Sequence, residues 1–142
     1  MTRDLQLVSH FNLQPGDRIV VPKSEWQLIQ HHALYLGCDD FGNHYICENV
    51  AGIGVKLTKV KDFFNGVSNI TRIERYVGNN YDRKIIVQNA LLKLGQPYSL
   101  INYNCESFVN EVLTENRHSK QVRNVFGLLV LAVLIGAIAR SN

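Results

Sequence analysis

Asn104-Cys105-Glu106-Ser107-Phe108-Val109-Asn110-Glu111-Val112 reads as a loop that turns into an amphipathic helix. Phe108, Val109, Val112 and Leu113 recur at helical spacing, which assigns Glu106, Asn110 and Glu111 largely to the opposite side. Asn104 is a good N-cap, so Cys105 falls in the first turn. The backbone N–H groups there, together with the positive end of the helix dipole, favour a thiolate over a thiol. The same N–H groups can stabilise an oxyanion on a substrate carbonyl. By itself the stretch also fits a buried, inert cysteine.

A base for such a thiol stands far upstream, in His31-His32-Ala33-Leu34-Tyr35-Leu36-Gly37. The run is strand-like and ends at a Gly turn. Alternation puts His31, Ala33 and Tyr35 on one face and His32, Leu34 and Leu36 on the other. A strand histidine bonded only to backbone is the plain alternative for His31. With a helix-start cysteine in the same chain, a thiolate–imidazolium pair is the better reading.

Around these two stretches the chain divides into strands first and helices later. Arg18 to Pro22 follows the Pro15-Gly16-Asp17 turn as a short strand. Cys38 to Asn43 has hairpin-turn chemistry, and Tyr45 to Val50 pairs back. Val55 to Val60 and Ile70 to Val77 alternate as half-exposed strands, with a helical turn over Lys61 to Gly66 between them. A helix starts at Asn80 and stops at Gly95 and Pro97. That order predicts an α+β fold with an antiparallel sheet rather than a doubly wound parallel one.

Three blocks resemble the lecithin:retinol acyltransferase family, nearest to its H-Ras-like suppressor phospholipase and acyltransferase branch. They are Pro15-Gly16-Asp17-Arg18-Ile19, the box from His31 to Gly37, and Tyr103-Asn104-Cys105-Glu106-Ser107-Phe108-Val109-Asn110-Glu111. The resemblance implies a permuted papain-like (NlpC-type) fold with the base preceding the nucleophile. It matches Cys105 to the family nucleophile and His31 to its general base. For the third member it points to Glu48, where the family carries histidine at the end of Tyr45-Ile46-Cys47-Glu48. His44 is the rival, and alternation puts both on one face. A carboxylate suits the role, since it can orient an imidazole and stabilise its cation. The family's His after the Cys-Glu pair is replaced by Ser107. The expected organisation is a polar lead-in over 1–12, a catalytic domain over 13–118, and a basic segment with a hydrophobic anchor helix over 119–142.

Composition narrows the classes. A chain of 142 residues has enough length for one core. A formal charge of +3 argues against dedicated nucleic-acid binding and fits weak attraction to anionic lipid. Cys38, Cys47 and Cys105 are odd in number, which disfavours a disulfide framework and favours a reducing compartment. The chain lacks the paired Cys and His spacings of a zinc site, so neither metal nor cofactor is expected. Trp26 is open to two readings, a wedge at a membrane surface or packing at the core edge.

The run from Asn124 to Ala139 is uncharged and apolar on every side. As a helix it would span somewhat less than a ~30 Å hydrocarbon layer, with Arg123 and Arg140 able to snorkel. Lys120 and Arg123 ahead of it give a weak bias toward a catalytic domain on the cytoplasmic side. A buried core helix is the alternative.

The leading expectation is therefore a membrane-anchored cysteine acyltransferase or phospholipase A-type hydrolase. Its partners are a phospholipid substrate, the bilayer, and water, an amine or an alcohol as acyl acceptor. Two other readings keep the fold: an NlpC-like cysteine peptidase or amidase, and a non-catalytic membrane-tethered interaction module.

Overall fold

The computed structural model describes residues 1–23, 29–114, 121, 123 and 124. Trp26, Arg117, Lys120 and nearly all of the apolar C-terminal run lie outside the described residues. No helix among the described residues is long and apolar enough to cross a membrane.

Alternating apolar residues build a five-stranded antiparallel sheet in the order β4-β3-β2-β1-β5. The strands are β1 (Arg18–Pro22), β2 (Gln30–Cys38), β3 (His44–Val50), β4 (Gly54–Lys59) and β5 (Arg72–Glu74). The β2–β3 hairpin is closed by Asp39, whose carboxylate accepts from the Phe41 and Asn43 N–H groups. The helices are α1 (Arg3–His10), α2 (Val60–Asn65), α3 (Asn80–Leu92) and α4 (Cys105–Thr114). The architecture is α+β, as the element order predicts.

Both faces of the central strands are covered, so the period-two pattern feeds two cores. On one face Leu34, Leu36, Cys47 and Val55 meet Ile86, Ala90, Phe108, Val109 and Val112 from α3 and α4. On the other, Ile19, Val21, Ala33, Tyr35 and Ile46 meet Leu13, Val60 and Phe63. Each of these large aliphatic or aromatic side chains contributes about 1.5–3 kcal/mol by leaving water. The expected division of β2, with Ala33 and Tyr35 on one side and Leu34 and Leu36 on the other, is the observed one.

Two expectations need correction. The segment 1–12, read as a polar lead-in, contains α1, capped by Thr2 and packed on α2. Leu7, Val8 and Phe11 lie against the second core, and Phe11 stacks on Phe64 at 5.1 Å. Buried Asp4 accepts the Lys61 N–H at the start of α2, which fixes the two helices together. The second correction concerns the strand expected from Ile70 to Val77, which pairs only over Arg72–Glu74.

Asp17 explains that shortening. Its fully buried carboxylate accepts from the Tyr76 N–H, from Arg75 at 2.8 Å and from Arg83 at 3.3 Å. Those bonds draw the chain out of the ladder just after Glu74. They also tie the start of β1 to α3. Replacement of Asp17 by Ala would leave Arg83 half-compensated beneath the sheet. Asp17→Ala is expected to cost about 3 kcal/mol of unfolding free energy, read as a lowered midpoint in urea denaturation.

Candidate active site

Asn104 starts α4 as a side-chain cap. Its Oδ1 accepts from the Ser107 N–H at 3.0 Å and from the Ser107 hydroxyl at 3.1 Å. Its own carbonyl takes the Phe108 N–H. Cys105 is thereby held in the first turn, buried, with its Sγ 3.7 Å from the Gln30 carbonyl. Ser107 belongs to this cap and is itself buried.

α4 crosses β2 and β3, and that crossing brings the thiol to the first residues of β2. The His31 side chain and the His32 backbone N–H both lie close enough to the sulfur to lower the thiol's pKa. His31 Nε2 lies 2.7 Å from Glu48 Oε2, which leaves Nδ1 for the thiol. Cys105, His31 and Glu48 therefore form one line across a strand pair. His44 is not part of it: its Nδ1 meets the Tyr35 hydroxyl at 2.7 Å, four residues along β3 from Glu48.

The electrostatics of the line are those of an ion pair. Burial opposes charge on every member. Against it, the bonds to Cys105 and Glu48 hold His31 at about 9, well above the ordinary imidazole value. Burial would raise the Cys105 thiol, but the His31 bond and charge, the His32 N–H and the Lys23 ammonium together pull it below its usual value. Glu48 resists its burial through His31, Thr58 and Lys56, and its carboxyl is lowered. Cys47 shows the contrast, since burial without such partners pushes it up to about 12.

Several site residues escaped the sequence reading. Thr58 donates to Glu48 Oε1 at 2.5 Å, and Lys56 stands 3.8 Å from the same oxygen. Both lie on β4, where Lys56 pairs directly with Glu48. Strand parity puts 56 and 58 on one face, but only the pairing of β4 with β3 brings that face to Glu48. The Gln121 amide is a second addition, pairing with both the N–H and the carbonyl of Gln30 beside His31. Its position in the sequence carries no signal for that contact.

Glu106, read onto the side opposite the apolar residues of the helix, is not turned to solvent there. It is buried, accepts the Gln121 N–H at 3.1 Å, and lies close enough to Arg18 and His32 to raise both. Arg18 in turn reaches Asn110 and His32, at 2.5 Å and 3.5 Å. Burial and the Arg18 charge depress His32 to about 4, so it is neutral at physiological pH. The two adjacent histidines of β2 thus carry opposite protonation states, because alternation points only one of them at carboxylate and thiol.

The sequence model of the family described as lecithin retinol acyltransferase matches residues 11–118. No curated protein matches the chain.

The pair's pH window is set by the signs of the shifts. The raised His31 stabilises the fold fully below its unperturbed value of 6.5, and that contribution is lost as pH rises through about 9. The lowered Cys105 stabilises it at alkaline pH and loses that contribution as pH falls through its depressed value. Between the two limits thiolate and imidazolium coexist. Iodoacetamide is therefore expected to alkylate Cys105 at lower pH than it alkylates an ordinary thiol, while Cys47 stays unmodified. Glu48→Gln should move the inflection of the Cys105 profile to higher pH, followed by peptide mass analysis. An unmoved inflection would detach Glu48 from the pair.

Proposed function

This chain belongs to the lecithin retinol acyltransferase family, and from that membership and its Cys105–His31–Glu48 line we propose a thiol-dependent phospholipid acyl hydrolase or acyltransferase. Membership implies acyl-transfer chemistry in general. The observation that carries the finer reading is one imidazole held between a depressed thiol and a buried carboxylate.

In this reaction the Cys105 thiolate attacks the ester carbonyl of a glycerophospholipid. The N–H groups at the start of α4 hold the oxyanion of the tetrahedral intermediate. The His31 imidazolium gives its proton to the leaving lysolipid oxygen, and the C–O bond breaks to leave an S-acyl Cys105. His31, now neutral, takes a proton from water, an amine or an alcohol, which attacks the thioester. Fatty acid or acylated product leaves, and the thiolate returns. Glu48 stays ionised throughout and fixes the ring so that Nδ1 faces the sulfur.

A base on a strand that precedes the nucleophile's helix fits the permuted papain-like order. The bilayer is the proposed place of action, with the apolar stretch of sequence after Arg123 as anchor and the catalytic domain on the cytoplasmic side.

The test is intact-mass analysis of the full chain in mixed phospholipid–detergent micelles. An acyl-sized mass increase is expected on the native chain and absent from Cys105→Ala. His31→Ala should slow adduct formation by about a hundredfold or more. No adduct and no lysolipid from a folded sample would overturn the reading.

A further inference from the structure

Antiparallel pairing gathers five segments at the thiol end of the sheet: the end of β1, the starts of β2 and β5, the β3–β4 turn, and the loop entering α4. The exposed large aliphatics there are Ile29, Ile53, Leu100 and Ile101, the last two 70% and 57% exposed. Single exposed aliphatics need no explanation. These four lie at the end of the sheet that holds one buried nucleophile, and the described residues of the five segments (20–23, 29–32, 49–54, 70–72 and 95–105) contain no Asp or Glu. Besides the His31 imidazolium their cations are Arg72 and Lys23, whose ammonium lies 5.6 Å from the centre of the Tyr98 ring and close enough to Cys105 to lower its thiol. The opposite end of the sheet, by contrast, carries Asp39 and Asp40 in its hairpin turn.

The Leu100–Ile101 tip is held rigidly. Ser99 and Tyr103 exchange two backbone hydrogen bonds of 2.9 Å, and the Asn102 N–H bonds the Ser99 hydroxyl. Asn104 Nδ2 then donates to the Leu100 carbonyl at 3.1 Å, while the same side chain caps the helix that carries Cys105. From the other side, Gly95–Gln96 pairs with Val55 through two bonds of 2.9 Å. Gly54 permits that approach, since a Cβ there would lie 2.5 Å from the Gln96 oxygen. A loop braced so firmly, with its largest side chains turned to solvent, is not a failure of packing.

We propose that this end of the molecule docks on the lipid–water interface. Leu100 and Ile101 enter the acyl layer, and Lys23 meets phosphate oxygens of the headgroups. A rim whose described residues lack acid and combine an aromatic ring, a lysine and projecting aliphatics has the composition that such an interface rewards. Docking rests on the phospholipid reading only for its consequence, delivery of an ester to Cys105.

The test uses the full chain with Ile101→Trp in a Trp26→Phe background, mixed with vesicles of phosphatidylcholine and phosphatidylglycerol brominated along their acyl chains. The tip emission is expected to shift to the blue and lose about half of its intensity or more. Emission that stays unquenched would overturn the proposal, as would emission already blue without lipid and unchanged by it, the mark of a tip covered by protein. A second variant, Leu100→Asp with Ile101→Asp, should slow acyl-adduct formation on vesicle lipid about tenfold or more. Its Cys105 alkylation by iodoacetamide, which requires no docking, should be unchanged. Parallel loss of alkylation would mean that the tip supports the helix start, and would overturn the proposal. A quenched tip on a chain that forms no acyl adduct would uphold docking and reject the chemistry.

Discussion

Glu48 reaches His31 because β2 and β3 pair with Ala33 opposite Glu48. Side chains alternate with a period of two, so a slip of one residue would turn Glu48 into the core beneath α4 and set Cys47 in its place. The register is pinned from several sides. Leu34 and Cys47 are buried in one core, Tyr35 and Ile46 in the other. Gly37, at φ +108°, absorbs the bulge after Tyr35 in the left-handed region that glycine tolerates. His44 and Glu48 are alike in parity, but His44 lies four residues further along β3 and so has a different fate. Past the irregularity His44 pairs opposite Cys38 and its ring meets Tyr35, away from His31.

The second dependency is Asn104. One amide side chain caps α4 through its oxygen and holds the Leu100 carbonyl through its nitrogen. The nucleophile's helix and the loop before it therefore share one fixed point. Asn49 reinforces it from β3, donating to the Tyr103 carbonyl at 2.8 Å in a buried setting. Aspartate at 104 would keep the cap but lose the donor to Leu100, and would set a second negative charge beside the thiolate. The amide satisfies both demands without adding charge.

Most of the framework was legible in sequence because its signals are local. The Asn cap, the alternation of β2 and β3, the Gly66 stop after α2 and the Pro97 stop after α3 each depend on a few neighbouring residues. The line of Cys105, His31 and Glu48 was legible by position within its boxes, and the structure brings those three side chains together. What escaped depends on distant partners. α1 was missed because its apolar face is short and meaningful only against α2. Glu106 looked polar because helical periodicity does not reveal that Arg18 and His32 arrive from another element to meet it. Thr58 was invisible as a site residue until β4 was known to lie beside β3.

A carboxylate in the third position changes the charge balance of the site, not only its geometry. Beside an imidazolium, a neutral imidazole would leave the buried line with one negative charge on sulfur and one positive on His31. Glu48 adds a further negative charge in a setting that disfavours it. Two neighbours answer for that cost. Thr58 supplies a short, charge-assisted hydrogen bond from a neutral donor, while the Lys56 ammonium at 3.8 Å, on a side chain 38% exposed, is weakened by solvent. Thr58 is therefore the stronger support of the two, and a change of Glu48 to histidine would leave its hydroxyl to find a new acceptor. The carboxylate, the threonine and the register between β3 and β4 make sense only together. Together with Cys105, the extra negative charge also raises His31 against its burial.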